Sequence, residues 1–195
     1  NDAPVLDVIT DQEVDEDNTF TYTLSASDVD DTELEYTASL NGNGSVSVDG
    51  ETLTILPNLN YNGDISVSVT VSDGQLIDNG SFTLVVNPVN DAPVLSAIGS
   101  QSSDEDSDFT YSLSASDVDG DDVSFAASVD GNGSASVDGG TLTVSPDADF
   151  NGDITVSVSA LDGNGGIAGE DFVLNILPVN DAPVLSAIGS QSIAE

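Results

Sequence analysis

The chain has 195 residues, of which 36 are Asp or Glu and none is Lys, Arg or His, so its formal net charge is −36. Such a surface repels nucleic acids and anionic membranes, and it favours cations as partners. The absence of cysteine excludes disulfides, zinc thiolate sites and thiol catalysis. No apolar run approaches the ~20 residues of a membrane-spanning helix, so we expect no membrane insertion in this segment.

A repeated phrase, Asn-Asp-Ala-Pro-Val-Leu, divides the chain. It begins at Asn1, Asn90 and Asn180, which is a period of 89 or 90 residues. Because solenoid repeats are shorter, this period indicates whole domains in tandem. The predicted domains are a first repeat over 1–89, a second over 90–179, and the linker and first strand of a third over 180–195. Since the chain begins and ends inside a repeat, we expect it to be an excerpt of a longer protein.

Alternating apolar residues predict the strands. In the first repeat the alternation runs over 20–26, 34–38, 46–48, 53–55, 65–71 and 82–86. Asn-Gly or Asp-Gly pairs separate several of these runs, as expected for hairpin turns. The second repeat follows the same order from Phe109 to Ile176. Six or seven short strands per repeat, without helical periodicity, predict an all-β fold of tandem antiparallel β-sandwiches.

Acidic residues are concentrated where the predicted strands end. Each repeat has an early Asp-Glu-Asp, then an Asp-Val-Asp, and then an Asp-Gly after the longest strand. A sandwich brings its loops together at two poles, so these groups are expected to meet there. Ligands that are all oxygen favour Ca²⁺ or Mg²⁺ over zinc and copper, and their number favours calcium. The alternative is a plain turn residue, which we favour for Asp31, Asp104, Asp106, Asp121 and Asp122.

Catalysis has little support in the sequence. Without His, Cys or Lys there is no ordinary base to activate a serine nucleophile. Asp117 and Asp119 could form the carboxylate pair of a glycosidase, but the chain has no Trp to line a sugar cleft. An EF-hand loop is excluded, since Asp122 and Ser128 stand where that loop requires Gly and Glu. We therefore predict that the chain is not an enzyme.

The order of these motifs resembles a cadherin repeat. Glu16 is followed by Ala-Ser-Asp-Val-Asp ending at Asp30, by Asp73-Gly74, and by Asn-Pro-Val-Asn-Asp-Ala-Pro at 87–93. The Val-Asn-Asp-Ala-Pro linkers are similar to those in the cadherin-like tandem repeats of large bacterial (RTX-type) surface adhesins. The resemblance covers both repeats. It implies cadherin-like or Ig-like Greek-key sandwiches with calcium held between successive domains.

The resemblance also implies which residues hold the metal. A complete set at the junction of the two repeats would comprise Glu16, Asn60, Asn62, Asn87, Asn90, Asp91, Asp117, Asp119 and Asp162. A half set at the start would comprise Asn1, Asp2, Asp28, Asp30 and Asp73, and a half set at the end Glu105, Asp149, Asn151, Asn180, Asp181 and Glu195. The family has acids where this chain has Asn60, Asn62 and Asn87, so we expect one or two tightly bound ions and a weaker one. Leu177, in the position of Asn87, removes one ligand from the last set.

The function implied is that of a calcium-binding extender, or stalk, of a bacterial cell-surface adhesin that supports cell adhesion. Calcium would stiffen each junction, the partners would be neighbouring repeats of the same chain, and the segment would be extracellular and monomeric. An alternative is a module that binds carbohydrate or another adhesin, for which exposed aromatic residues on one face would be the sign. A third reading is a halophilic domain whose acidity serves only in salt, which predicts no stabilisation by calcium.

Overall fold

The computed structural model describes residues 1–193, which divide into two compact units. The first unit spans Asn1–Val89 and the second begins at Asn90. Both consist of strands and turns. None of residues 1–193 belongs to a helix long and apolar enough to cross a membrane. The all-β prediction is therefore confirmed.

The first unit is a sandwich of a four-stranded and a three-stranded sheet, with a short two-stranded sheet in addition. Its strands are β1 (Val5–Leu6), β2 (Gln12–Asp15), β3 (Phe20–Thr23), β4 (Ala26–Ser27), β5 (Glu35–Leu40), β6 (Gly44–Asp49), β7 (Thr52–Pro57), β8 (Gly63–Ser72) and β9 (Ile77–Asn87). One sheet has the order β2-β9-β8-β5 and the other β3-β7-β6, while β1 pairs with β4.

One pair of strands differs from the antiparallel arrangement that we predicted. Strands β2 and β9 run parallel, with Asp15 opposite Asn87. The prediction of a wholly antiparallel sandwich is wrong at this pair. Because β2 lies beside β9 and runs in the same direction, the C-terminal ends of both strands lie at the same pole of the unit.

The second unit repeats the arrangement. Its strands are β10 (Val94–Leu95), β11 (Gln101–Asp104), β12 (Phe109–Ser112), β13 (Ala115–Ser116), β14 (Ser124–Val129), β15 (Gly133–Asp138), β16 (Thr141–Pro146), β17 (Gly152–Leu161) and β18 (Ile167–Leu177). The sheets have the orders β11-β18-β17-β14 and β12-β16-β15, and β10 pairs with β13. Strands β11 and β18 are again parallel, with Asp104 opposite Leu177.

The alternating residues form the core of each unit, as period two requires of a half-buried strand. In β8 the side chains of Ile65, Val67, Val69 and Val71 are all fully buried, and β17 buries its equivalents. The rings of Phe20, Tyr22 and Phe82 form a cluster, in which Phe20 is 6.4 Å from each of the others and Tyr22 is 6.5 Å from Phe82. Burial of apolar surface on this scale is the main term that stabilises each sandwich.

The segment after β18 has no regular structure where the structure describes it. Residues 180–193 contain no strand, although the sequence predicted the first strand of a third repeat there. The physical reason is the missing pairing partner. Val94 and Leu95 form a strand by pairing with Ser116 and Ala115. Among residues 180–193, Val184 and Leu185 have no such pairing.

Candidate metal centres at the poles of the units

The N-terminal pole of the second unit gathers residues from three separate parts of its sequence. We use this name for Asn90, Asp91, Asp117, Asp119 and Asp162. Pairing of Val94 with Ser116 brings the start of the unit beside the loop that follows β13. The Asp91 N–H donates to Asp119 Oδ2 at 2.8 Å, and Asn90 Nδ2 donates to Asp162 Oδ2 at 2.7 Å. All five predicted residues are thus at this pole.

Asp162 is a buried carboxylate, with 5% of its surface exposed. Its Oδ1 accepts backbone N–H groups from Asn164 at 2.7 Å and from Gly165 and Gly166 at 3.0 Å each. The hydrogen bond from the Asn90 side chain, together with these backbone donors, lowers the pKa of Asp162 despite its burial. The carboxylate is therefore held ionised in a fixed orientation.

Asp117 presents one satisfied and one unsatisfied oxygen. Its Oδ1 accepts the N–H of Asp119 at 2.9 Å and that of Asp121 at 3.5 Å. Within residues 1–193, its buried Oδ2 has no hydrogen-bond partner. Oxygen atoms of Asp117, Asp119 and Asp121 lie within 4.8 Å of one another, a spacing that one metal ion could bridge. The like charges of the three carboxylates repel one another, and a cation bound among them would offset that repulsion.

Two residues of this pole were missed in the sequence. The sequence favours a turn role for Asp121, whereas in the structure its carboxylate belongs to the triad. Asn164 Nδ2 donates to Asp121 Oδ2 at 2.8 Å. The spacing Asp117, Asp119, Asp121 at alternate positions was the available signal for Asp121. Nothing in the sequence distinguished Asn164 from an ordinary loop asparagine.

The N-terminal pole of the first unit repeats these contacts. Asn1 Nδ2 donates to Asp73 Oδ2 at 2.7 Å, and the Asp2 N–H donates to Asp30 Oδ2 at 2.7 Å. Asp28 Oδ1 accepts the N–H of Asp30 at 2.7 Å, while its buried Oδ2 has no hydrogen-bond partner within the described chain. Backbone N–H groups of Leu76 and Gln75, and then the Asn1 side chain, lower the pKa of Asp73. The same arrangement therefore arises twice.

The C-terminal pole of each unit contains a buried glutamate. Glu16 is 2% exposed and Glu105 is 5% exposed. Glu16 Oε1 accepts the N–H of Val89 at 2.6 Å, and Glu105 Oε1 accepts that of Val179 at 2.6 Å. The two glutamates differ in the hydrogen bonding of their second carboxylate oxygen, Oε2. Glu105 Oε2 is 3.4 Å from Asn151 Nδ2, whereas the buried Glu16 Oε2 has no hydrogen-bond partner among residues 1–193.

A second carboxylate triad lies at the C-terminal pole of the second unit. Oxygen atoms of Asp106, Asp149 and Asp181 lie within 4.8 Å of one another. The charge of Asp149, then burial, and then the charges of Asp106 and Glu105 raise the pKa of Asp181. Asp106, for which the sequence favours a turn role, accepts the N–H of Asp149 at 3.1 Å. The carboxylates at this pole therefore repel one another, and a bound cation would reduce that repulsion.

The first unit has a less acidic C-terminal pole. Asn60 takes the place of Asp149, and both have left-handed backbone, with φ of 54° and 58°. The Asn60 N–H donates to Asp17 Oδ1 at 2.8 Å, as Asp149 does to Asp106. Asn62 is exposed, as is Asn151.

Two of the remaining predicted ligands, Asn87 and Asn180, make hydrogen bonds with nearby residues. Asn87 Nδ2 donates to Asp15 Oδ1 at 3.4 Å, and Asn180 Nδ2 donates to its neighbour's carbonyl, Asp181 O, at 3.1 Å. Leu177, which replaces Asn87, keeps the backbone contact, because its carbonyl accepts the Glu105 N–H at 2.9 Å. Glu195 lies outside the described residues.

These residues fit a hard divalent cation. The donors are carboxylate, amide and carbonyl oxygens, which suit calcium rather than zinc or copper. Buried oxygens of Glu16, Asp28 and Asp117 accept no hydrogen bond within residues 1–193, so each retains a free lone pair for a ligand. The chain has no cationic side chain that could neutralise these groups. A bound cation would supply the positive charge that they lack.

Solved structures similar to this chain include several cadherins. The EC1-2 segment of human protocadherin-24 is 18% identical, with a TM-score of 0.58, and the alignment covers 91% of this chain and 100% of that chain. The human desmocollin-1 ectodomain is 18% identical, with a TM-score of 0.51 and coverage of 92% and 41%. Mouse cadherin-23 EC22-24 is 19% identical, with a TM-score of 0.50 and coverage of 90% and 65%. This chain thus spans less than two thirds of the last two structures, and the likeness is one of fold.

No curated protein sequence matches the chain significantly. A family profile described as the bacterial Ig domain matches residues 1–85 and again residues 90–175. These two matches cover most of the sequence and coincide with the two sandwiches. The chain therefore belongs to the bacterial Ig domain family.

Proposed function

We propose that this chain is a pair of non-catalytic, calcium-binding extender repeats from the stalk of a bacterial cell-surface adhesin. Its location would be extracellular, and its role would be to support cell adhesion by presenting other parts of a longer protein. Membership of the bacterial Ig domain family, the tandem arrangement and the cadherin-like fold are consistent with such a role.

One observation carries the calcium-binding part of the proposal. Glu16, Glu105 and Asp162 are each at least nine-tenths buried, in a chain that has no Lys, Arg or His. Burial of a carboxylate is unfavourable unless hydrogen bonds and an opposite charge compensate for the lost hydration. Backbone N–H groups supply hydrogen bonds to all three carboxylates, and the chain has no cationic side chain to supply the opposite charge. A divalent cation on oxygen ligands meets that requirement.

The same residues suggest what binding would do. At the N-terminal pole of the second unit, Asn90 and Asp91 belong to the linker phrase, while Asp117, Asp119 and Asp162 belong to loops of the sandwich. Ligands drawn from both would tie the linker to the unit. Without metal, the carboxylates repel one another and loosen that attachment. In an array of such repeats, ordering of every linker would restrict bending. Calcium sites in extracellular modules have Kd values of about 10⁻⁴–10⁻³ M.

Aromatic residues support an extender over a sugar-binding module. All ten Phe and Tyr side chains are buried or half-buried. A carbohydrate-binding module would need exposed aromatic rings on one face. The two triads of Phe or Tyr rings around Phe20 and Phe109 are instead part of the cores.

Isothermal titration of calcium tests the proposal. The wild-type chain is expected to bind calcium saturably with Kd of about 10⁻⁴–10⁻³ M. A double variant, Asp117→Asn with Asp119→Asn, is expected to lose at least one site. Its matched control, Glu13→Gln with Asp171→Asn, removes the same charge from exposed positions within strands β2 and β18 and should bind as the wild type does. Equal weakening in both variants would show that only bulk charge matters, and would contradict the proposal.

A further inference from the structure

We infer that Gly166 is a positioning residue for the N-terminal pole of the second unit. Because Gly166 has no side chain, the Asp162 carboxylate and the linker backbone at Asp91 and Ala92 can both pack against it. This inference deepens the calcium-binding role proposed above and rests on it. It concerns the loop between β17 and β18, in which four residues separate Asp162 from Ile167.

Gly166 is in closer contact with the site than a side chain would allow. A Cβ atom placed on it would overlap the Asp162 carboxylate and would lie 2.7 Å from Ala92 Cα and 3.0 Å from Asp91 O. Ala92 Cα and Asp91 O are backbone atoms, which cannot move aside as the end of a flexible side chain can. The Gly166 N–H also lies 3.0 Å from both carboxylate oxygens of Asp162. Gly166 thus touches the carboxylate and the linker together.

The requirement at Gly166 is for space rather than for an unusual backbone conformation. Its neighbours Gly163 and Gly165 have left-handed φ values of 84° and 116°, in the region that favours glycine. Gly166 is not among the residues with positive φ. An alanine at Gly166 would therefore test the contact alone, which is not possible at Gly163 or Gly165.

The first unit lacks this feature. Its corresponding loop has three residues between Asp73 and Ile77, and Leu76 occupies the place of Gly166. The Asp73 N–H donates to Leu76 O at 3.4 Å, as the Asp162 N–H donates to Gly166 O at 3.4 Å. A large side chain is accommodated at that position in the first unit. Close approach to the linker through a glycine is thus a property of the second unit, and the sequence difference predicts unequal calcium affinities.

Calcium titration of the full 195-residue chain tests the inference. We expect Gly166→Ala to weaken one class of calcium site by about 10- to 100-fold, the range found when groups that orient metal ligands are changed. The matched control is Gly169→Ala in β18, where an added Cβ would meet Val158 O at 3.5 Å and Ser159 Oγ at 4.0 Å, both ordinary contact distances. The control should bind calcium as the wild type does. Unchanged affinity in Gly166→Ala would overturn the inference.

A measurement without metal separates this inference from the proposed function. In EDTA, Gly166→Ala should lower the melting temperature, and the loss should be smaller in an Asp162→Ala background, because the overlapping carboxylate is then absent. An equal loss in both backgrounds would overturn the positioning role. If the wild type bound no calcium, the proposed function would fail, whereas the contact between Gly166 and Asp162 would still be tested in EDTA.

Discussion

The Glu16 carboxylate accepts a 2.6 Å hydrogen bond from the backbone N–H of Val89, which lies 73 residues later in the chain. Parallel pairing of β2 with β9 permits this contact, since it places the ends of both strands at one pole. Glu105 and Val179 repeat the contact in the second unit, also at 2.6 Å. In both units a buried acid therefore holds the segment that follows the last strand.

The charge of Glu16 can be separated from its hydrogen bond. Gln in place of Glu16 still offers an oxygen to Val89, but it removes a buried negative charge. In EDTA we expect Glu16→Gln to melt at the same temperature as the wild type or higher. In calcium the variant should be less stable than the wild type, by up to about 2.7 kcal/mol when calcium is about 100-fold above Kd. Thermal unfolding with and without calcium checks this reversal.

Glu13→Gln is the matched control, because Glu13 is exposed on β2 and close in sequence. It should change neither melting temperature. A loss of stability in Glu16→Gln that is equal in EDTA and in calcium would mean that Glu16 acts only through its hydrogen bond to Val89.

The lowered pKa of Asp162 predicts how the stability of the second unit depends on pH. Its hydrogen bonds hold the folded-state pKa below the ordinary value of 3.8. The contribution to the free energy of unfolding is therefore fully present above the ordinary pKa, and it is lost as pH falls through the lower, folded-state value. In EDTA, the stability difference between wild type and Asp162→Asn should be constant near neutral pH and should shrink below pH 3.8.

Urea unfolding across this pH range measures the difference. Asp171→Asn, at an exposed position on β18, serves as the control and should show no comparable difference. A stability difference for Asp162→Asn that grew as the pH fell would contradict the hydrogen-bonded, ionised state assigned to Asp162.

The pKa of Asp181 is shifted in the opposite direction to that of Asp162, above its ordinary value. The charge of Asp149 is the largest cause that raises the pKa of Asp181. Asp149→Asn is therefore expected to move the pKa of Asp181 down toward 3.8, as followed by carboxyl NMR in EDTA. Asp147→Asn removes an exposed charge two residues away and should leave that pKa in place. An Asp181 pKa that did not respond to Asp149→Asn would show that the acidic triad does not form in solution.

Much of the sandwich could be predicted from residue alternation, because period two directly reflects which side chains face the core. Strands β8 and β17 are the clearest examples, since each buries every second residue along its length. Strand β2 could not be predicted from alternation. It has a single apolar residue, Val14, so alternation is not visible, and its parallel pairing with β9 depends on contacts 72 residues apart. Two-residue strands such as β1 carry too little pattern to detect.

The candidate sites could be predicted in part for a related reason. Asp117, Asp119 and Asp162 recur at fixed places in both repeats, and the ends of strands meet at the poles of a sandwich. Roles that depend on the path of a loop could not be read in this way. Asp106 accepts a hydrogen bond from Asp149, 43 residues later in the chain, and Gly166 matters because of atoms 74 residues earlier, at Ala92. Such relations exist only in three dimensions.

The most direct test compares melting of the wild-type chain in CaCl₂, MgCl₂ and NaCl at equal ionic strength. Screening of charge by salt acts alike in all three at a given ionic strength, whereas site binding depends on the identity of the ion. We predict a melting temperature that is clearly higher in calcium than in either other salt, and that returns to the NaCl value when EDTA is added. Identical melting curves in the three salts would contradict the account, since the acidity would then serve only as a general response to salt.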